Sequence, residues 1–138
     1  MAKYVARPLP ACLTLLAWLL LACAPVAAAA PVLAEGLGLA RAARAQVGVT
    51  RSYDPAYVRI AYPDGDVPAD RGVCTDVVVR AFRAIGIDLQ LKLHEDMRRN
   101  FAAYPRKWGL SRPDRNIDHR RVPNLQRWFA RQRRALPV

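Results

Sequence analysis

Apolar residues recur at helical spacing through the middle of the chain. Between residues 74 and 85 they fall on one helical face, which comprises Val77, Val78, Ala81, Phe82 and Ile85. Arg80 lies off this face, four residues after Asp76, a spacing that favours an ion pair along the helix. Gly86 is a typical helix stop, and Asp88 can cap the helix that follows. In that next helix every fourth residue is apolar, namely Leu89, Leu93, Met97 and Phe101. The pattern predicts two successive amphipathic helices, each burying one face.

Two further helices are predicted, one on either side of this pair. The first runs from about Glu35 to Val47 and ends near Gly48. The last begins with Pro123, because proline suits the first turn of a helix. Its apolar face contains Val122, Leu125, Trp128 and Phe129, and its outward face contains Arg127, Arg131 and Arg134. The four segments together indicate a mainly α-helical chain, with one more helix expected in its N-terminal segment.

One short strand is predicted before the central helices. The stretch from Tyr57 to Tyr62 alternates, so that its odd and even positions face opposite ways. Residues 63–68 read Pro-Asp-Gly-Asp-Val-Pro, a composition typical of turns. Their carboxylates do not have the spacing or the glutamate of an EF-hand, so we interpret them as turn residues and not as a calcium site.

The first 34 residues have the pattern of an export signal. Two basic residues precede an uncharged stretch at 11–22, and small residues follow it. This stretch is shorter than the roughly 20 apolar residues of a membrane span. Cleavage after Ala29, cleavage after Ala34 and lipidation at Cys23 are all open. We therefore predict a signal peptide at residues 1–34 and a periplasmic or secreted protein, anchored to the membrane only if Cys23 is lipidated.

The charge of the chain is concentrated near its C-terminus. The chain has 138 residues, of which residues 35–138 form one predicted domain, and a net charge of +11. Residues 1–97 hold 10 Lys and Arg against 9 Asp and Glu, whereas residues 98–138 hold 12 against 2. Basic surfaces bind anionic partners. For an exported protein we expect peptidoglycan or another anionic envelope polymer, since no nucleic-acid-binding signature is present. A solvated arginine-rich surface without a ligand is the alternative.

Cys74 is the strongest candidate for chemistry. It is the one cysteine that survives as a free thiol, since Cys12 and Cys23 lie in the signal segment. It begins a predicted helix, and a helix start carries unpaired N–H groups and partial positive charge that favour a thiolate. We expect Gly72, two residues earlier, to let a substrate backbone approach. Thiol hydrolases use a cysteine of this kind with a histidine base. A small buried side chain at the helix start is the alternative.

The sequence contains two histidines, which are the candidate bases for Cys74. His119 lies in the polar segment 116–121, which we expect to fold back onto another element, so it is a candidate base or orienting residue. His94 lies beside the apolar stripe and next to two carboxylates that would raise its pKa. A structural hydrogen bond is the alternative for His94. The spacing of Cys74, His94 and His119 matches no metal site, and no cofactor motif is present, so we predict neither metal nor cofactor.

The residues from Tyr62 to about Leu136 resemble the exported bacterial family called domain of unknown function 1287. The matching strings, in this order, are GVCTDVVVRAFR, DLQLKLHEDM, NFAAYP followed by Trp108, and NIDHRRVPNLQRWFAR. That family is itself similar to the NlpC/P60, papain-like cysteine peptidases, which cut peptide bonds in bacterial cell walls. The resemblance therefore implies an α+β parent fold and a nucleophile role for Cys74, the cysteine of GVCTD.

The resemblance also implies a longer domain. In the wider family the chain continues into a sheet that carries a histidine, the expected base, whereas this sequence stops at Val138. We therefore expect the N-terminal half of a cysteine-peptidase-like domain, which keeps the nucleophile and lacks that histidine.

Two functions are consistent with these observations. The first is a thiol-dependent amide hydrolase acting on cell-wall peptide, weakened or inactivated by the shortened chain. Cys74 would attack the substrate, with His119 and His94 as the other catalytic residues. The predicted substrate-binding residues are Asp76, Asp118 and Arg120. The second function is a non-catalytic module that binds envelope polymers with its basic face.

Overall fold

The structure, a computed structural model, describes residues 29–135, with side chains from Glu35 onward. The predicted signal segment, with Cys12 and Cys23, lies almost entirely outside these residues. The chain divides into two units, residues 1–33 and 34–138, and the core lies in the second. The elements are α1 (Ala29–Arg44), β1 (Ser52–Tyr53), β2 (Arg71–Gly72), α2 (Cys74–Ala84), α3 (Leu89–Asn100), two 3₁₀ helices (Phe101–Ala103 and Asp118–Arg120) and α4 (Val122–Arg131).

The described part of the chain is mainly helical, as the hydrophobic pattern predicts. Helix α1 starts earlier than expected and ends at Arg44, and a turn then continues to Gly48. Gly48 has a φ of 77°, a left-handed conformation that glycine adopts without strain. The α+β peptidase-like fold implied by the resemblance is an untested prediction for this chain.

The core lies between α2, α3 and α4. Leu89 and Leu93 are 0% exposed, and Met97 is 2% exposed, which confirms three positions of the predicted stripe. The fourth, Phe101, begins the 3₁₀ helix after α3 and is only partly buried. Its cap is also confirmed, because the side chain of Asp88 accepts a hydrogen bond from the backbone N–H of Gln90 at 2.9 Å. The other buried members of this cluster are Val79, Phe82, Tyr104, Leu125 and Trp128.

The predicted apolar face of α2 is confirmed at Ala81 and Phe82, which are buried, and wrong at Val78. Val79 is buried, whereas Val78 is 36% exposed. The buried face of α2 also contains Thr75 and Asp76, which the hydrophobic pattern could not include. These two polar side chains are buried because both hydrogen-bond to Arg120.

The predicted strand at residues 57–62 is wrong. The backbone groups of this stretch bond to side chains instead of to a neighbouring strand. The N–H of Ile60 donates to Oδ1 of Asn116 at 3.2 Å, and the carbonyl of Ala61 accepts from Nε2 of Gln90 at 2.9 Å. In the described part of the chain the strands are β1 and β2, which form a two-residue parallel pair. Residues 63–68 are a turn and loop, as predicted.

Arg131 lies on the exposed side of α4, as predicted, but it also bonds to α3. Its guanidinium makes two hydrogen bonds to the Asp96 carboxylate, at 2.7 and 3.1 Å. The hydroxyl of Tyr104 also donates to Asp96. The hydrogen bond from Arg131 is the main cause that lowers the pKa of Asp96, and burial is the main cause that raises the pKa of Tyr104. This pair fixes α4 against α3.

We predict that Leu93→Ala lowers the free energy of unfolding by about 2–5 kcal/mol, because it leaves a cavity at a fully buried position. Urea unfolding followed by circular dichroism measures this change. Leu37→Ala is the matched control, since Leu37 is 62% exposed in α1, and should change stability by less than about 0.5 kcal/mol. Equal losses in the two variants would contradict the placement of the core.

Candidate active site

Cys74 is the first residue of α2, as predicted, and its side chain is exposed. The alternative of a buried residue at the helix start is therefore wrong. Asp76 organises this helix start, because its Oδ2 accepts a hydrogen bond from the N–H of Val73 at 2.6 Å. The N–H of Asp76 in turn donates to the carbonyl of Val73 at 2.9 Å. Among the described residues, the N–H groups of Cys74 and Thr75 have no acceptor, as is usual in the first turn of a helix.

Gly72 is required by the protein itself. It has a φ of 148°, and a Cβ atom at this position would lie 2.6 Å from Oδ2 of Asp76. Gly72 also lines a cleft together with Cys74, so the expectation that it lets a substrate backbone approach stays a prediction. A side chain at position 72 would displace the carboxylate that caps α2.

Two clefts meet at Cys74. One, of about 370 Å³, lies toward the end of α1 and the β1–β2 pair, and Gln46, Thr50 and Arg51 are among its walls. The other, of about 300 Å³, lies toward α4. Its walls include Pro55, Ile117, Arg120, Arg121 and Val122. Tyr53, Val73 and Cys74 line both clefts. The thiol is therefore accessible from two sides to an extended ligand.

A buried ion pair lies behind Cys74. The guanidinium of Arg120 donates to both carboxylate oxygens of Asp76, at 2.9 and 3.0 Å. The two side chains are 2% and 3% exposed. Arg120 also donates to the carbonyls of Asp54 and Ala56, at 3.0 and 2.8 Å. The pair therefore connects the start of α2 to the segment that follows β1.

Thr75 adds a second connection to the same place. Its hydroxyl donates to the carbonyl of Arg120 at 2.8 Å, and Thr75 is buried. These contacts confirm that segment 116–121 folds back onto another element.

The ion pair predicted between Asp76 and Arg80 is wrong, because Asp76 bonds to Arg120. Arg80 instead donates to Asp66 at 2.8 Å.

The three predicted substrate-binding residues are buried and hydrogen-bonded to other residues of the protein. Asp118 is 1% exposed, and it accepts from the N–H of Asp114 at 2.6 Å and from Arg121 at 2.9 Å. Burial raises the pKa of Asp118, against the opposing effects of these two partners. Asp76 and Arg120 are bonded to each other. Substrate binding by these three residues stays a prediction, and their described contacts hold the fold around Cys74.

His119 follows Asp118 in the 3₁₀ helix and is 3% exposed. It lines neither of the clefts that contain Cys74. Burial lowers the pKa of His119 to about 4, although the nearby Asp76 carboxylate acts in the opposite direction. The imidazole is therefore neutral at pH 7, and its role as a base stays a prediction.

His94 lies on α3 and lines a different cavity from the clefts of Cys74. Its ring meets the ring of Tyr62 edge to face, with 5.1 Å between the ring centres. The expectation that its neighbouring carboxylates raise its pKa is wrong. Burial lowers the pKa of His94, and Arg98 and Arg115 lower it further.

Sequence reasoning missed two residues at the clefts. Tyr53 is 76% exposed and lines both clefts, and no periodic pattern pointed to it. Arg121 lines the cleft toward α4, and its guanidinium lies 4.1 Å from the ring centre of Trp108. Its position in the run His119–Arg121 was visible, but its stacking on a tryptophan 13 residues away was not.

Within residues 29–135, no helix is long and apolar enough to span a membrane. In the same part of the chain, His, Cys, Asp and Glu side chains form no group of three suited to a metal ion.

We predict that Asp76→Ala lowers the free energy of unfolding by about 3–5 kcal/mol, because it leaves the charge of Arg120 buried without its partner. Asp70→Ala is the matched control, since the Asp70 side chain is 63% exposed beside Arg71, and should cost less than about 1 kcal/mol. Urea unfolding measures both changes. The double variant Asp76→Ala/Arg120→Ala should lose less stability than the sum of the two single variants, and simple additivity would contradict a direct pair.

We predict that His119 makes the protein less stable as pH falls from about 6.5 to 4. The unfolded imidazole binds a proton near pH 6.5, whereas the folded one binds it only near pH 4, so protons favour the unfolded chain in this window. The contribution at pH 4 should reach about 3 kcal/mol at most. Comparing the unfolding of the native chain with that of His119→Gln across this range isolates the effect. A folded-state pKa near 6.5, measured by NMR titration of the imidazole, would contradict it.

Comparison with known proteins relates residues 40–138 to one family. The chain is 60% identical to the uncharacterized protein YijF of Escherichia coli (strain K12) over 102 residues, which are 74% of this chain and 50% of that protein. The chain thus spans about half the length of this curated relative. No solved structure matches it. The family model described as Domain of unknown function (DUF1287) matches residues 40–138, so the chain belongs to the DUF1287 family.

Proposed function

We propose that this protein is an exported, thiol-dependent amide hydrolase acting on cell-wall peptide. The observation that carries the proposal is the position of Cys74: an exposed thiol on the first residue of α2, at the meeting point of two clefts. A helix start of this kind supplies hydrogen-bond donors that need no rearrangement during reaction. The similarity of the DUF1287 family to papain-like peptidases implies the same role for Cys74.

The proposed reaction has two steps. In the first, the Cys74 thiolate attacks the carbonyl carbon of an amide, and the negative charge moves to the carbonyl oxygen. The free N–H groups of Cys74 and Thr75 are the donors available to that oxygen. The intermediate collapses to a thioester and releases the amine, which takes up a proton. In the second, water hydrolyses the thioester, releasing the carboxylic acid and restoring the thiol.

The proposal assigns no base among the residues that line the two clefts. His119 is buried outside the clefts, and His94 lines a separate cavity. General-base assistance contributes about 10²–10⁴-fold to such reactions. We therefore expect amide hydrolysis by these 138 residues to be slow.

A test of the proposal is the reactivity of Cys74 toward iodoacetamide at pH 7, measured by peptide mapping so that Cys12 and Cys23 are counted separately. We predict that Cys74 reacts at least as fast in the folded chain as in the urea-unfolded chain, because the thiol is exposed beside N–H donors. A folded-state rate ten times slower would remove the basis for the proposal. Release of new amines from soluble wall peptides, which Cys74→Ala should abolish and Asp70→Ala should not, measures the activity itself.

A non-catalytic module that binds envelope polymers is the second candidate. It is supported by exposed basic side chains that form no ion pair among the described residues. These include Arg98, Arg99, Arg106, Arg112, Arg115 and Arg127. Binding of this kind would weaken with added salt and would be unchanged in Cys74→Ala. Dependence of binding on the thiol would instead favour the hydrolase.

A further inference from the structure

A second polar cavity lies away from Cys74. It has a volume of about 560 Å³ and shares no lining residue with the two clefts of the candidate active site. Residues 57–60 form one wall, residues 110–116 form another, and His94 of α3 completes it. The cavity is therefore a separate place where a small ligand could bind.

The walls of this cavity are rich in unpaired positive charge. Arg59, Arg112 and Arg115 line it, and none of them bonds to a carboxylate within residues 35–135. Asp114 is the one carboxylate in the lining, and its oxygens already accept bonds from the Tyr57 hydroxyl at 3.1 Å and from the N–H of Asn116 at 2.9 Å. With His94 neutral, the lining has a net charge of about +2 from these groups.

The position of Arg115 brings its charge close to His94. The Cζ atom of Arg115 lies 5.6 Å from the ring centre of Tyr62, and that ring contacts His94 edge to face. Arg98 and Arg115 each lower the pKa of His94 more than either Asp114 or Glu95 raises it, after the larger lowering by burial. The field at this side of the cavity is therefore positive despite the two nearby carboxylates.

His94 has an unsatisfied polar atom. Its Nδ1 is buried and has no hydrogen-bond partner among the described residues. A buried polar atom without a partner costs about 1–3 kcal/mol, but this nitrogen is closed to water and so does not itself face the open cavity. The residue His94 does line the cavity, so a ligand bound there would change the surroundings of its ring.

The cavity walls are held in place before any ligand binds. The amide of Asn116 donates to the Tyr57 hydroxyl at 2.9 Å and accepts from the N–H of Ile60 at 3.2 Å. The fully buried Gln90 donates to the carbonyl of Arg115 at 3.0 Å. These bonds join the two loops to each other and to α3, which reduces the ordering cost of binding.

We infer that this cavity binds an oxyanion, the phosphate or carboxylate group of a ligand, through Arg59, Arg112 and Arg115, with His94 at its base. Arginine suits such groups because its guanidinium makes paired, charge-assisted hydrogen bonds to two oxygens. The inference rests on the cavity and not on the hydrolase proposal. The proposed site is a defined ligand-binding site on the basic surface of the chain.

The test uses the full 138-residue chain with inorganic phosphate and acetate as probes, each compared with chloride at the same ionic strength. Isothermal titration measures the affinity of the native chain, of Arg112→Ala/Arg115→Ala, and of Arg99→Ala/Arg127→Ala. The control pair is also exposed but does not line the cavity. We expect at least one probe to bind, about tenfold or more weaker binding in the cavity variant, and unchanged binding in the control variant.

The imidazole signals provide a second measurement, because the chain has two histidines. In ¹⁵N spectra the ring signal of His94 should move when the probe binds, and the signal of His119 should not. Binding of phosphate alone or acetate alone identifies which oxyanion the site prefers. No binding of either probe, equal losses in both double variants, or an unmoved His94 signal would overturn the inference. Cys74→Ala should bind the probe normally, so a failed hydrolase proposal would leave this result intact.

Discussion

The buried ion pair between Asp76 and Arg120 is the contact on which the arrangement around Cys74 depends. Removing two charges from water costs several kcal/mol for each ion, and such a pair is tolerated only when further hydrogen bonds satisfy it. Here the Asp76 carboxylate also accepts from the N–H of Val73, and Arg120 also donates to two backbone carbonyls. The pair thus joins the start of α2, the segment after β1 and the 3₁₀ helix before α4. Gly72 follows from the same constraint, because no Cβ fits beside the carboxylate.

The segment from Asp114 to Arg121 connects the two sites. Its first residues form a wall of the arginine-lined cavity, and its last residues form a wall of a Cys74 cleft. Asp118 lies between them and accepts from the N–H of Asp114 and from Arg121. A fully buried carboxylate with partners on both sides therefore fixes the distance between the cavity wall and the cleft wall. The hydrogen bonds of this segment therefore fix the two sites relative to each other, although the sites share no lining residue.

The sequence predicts helices well here because local signals and burial agree. In α3, the cap at Asp88 and the four-residue repeat of Leu89 and Leu93 indicate the same boundaries and the same buried face. The strand predicted at residues 57–62 does not form, although the sequence does alternate there. The backbone groups of this stretch bond to the side chains of Asn116 and Gln90, which are far away in the sequence.

Charged residues were the least predictable part of the candidate site. The predicted substrate-binding residues were chosen for their place in the motifs. Asp76 is close to Cys74 in the sequence, and Asp118 and Arg120 flank His119, which suggested contact with substrate. Nothing in the local sequence shows that Asp76 and Arg120, 44 residues apart, would meet each other. Arg131 was assigned to solvent by helical periodicity, yet it bonds to Asp96 on α3. Periodicity reports which side of a helix is apolar, and it does not report where a long charged side chain finds a partner.

These pairings have a consequence for the proposed chemistry. The charged side chains of the GVCTD and NIDHR motifs bond to other groups of the protein. The groups that remain unpaired at the helix start are the exposed Cys74 thiol and the N–H groups of Cys74 and Thr75. Recognition of a peptide at Cys74 would then depend on the cleft walls outside the charged pair, above all on Tyr53, which both clefts share, and on Arg121, which is stacked on Trp108. An aromatic ring and a fixed guanidinium suit a peptide that carries both an apolar surface and a carboxylate. The buried pair therefore holds the start of α2 and Cys74 in position, and in the proposed hydrolase the choice of substrate would fall to Tyr53 and Arg121 on the cleft walls.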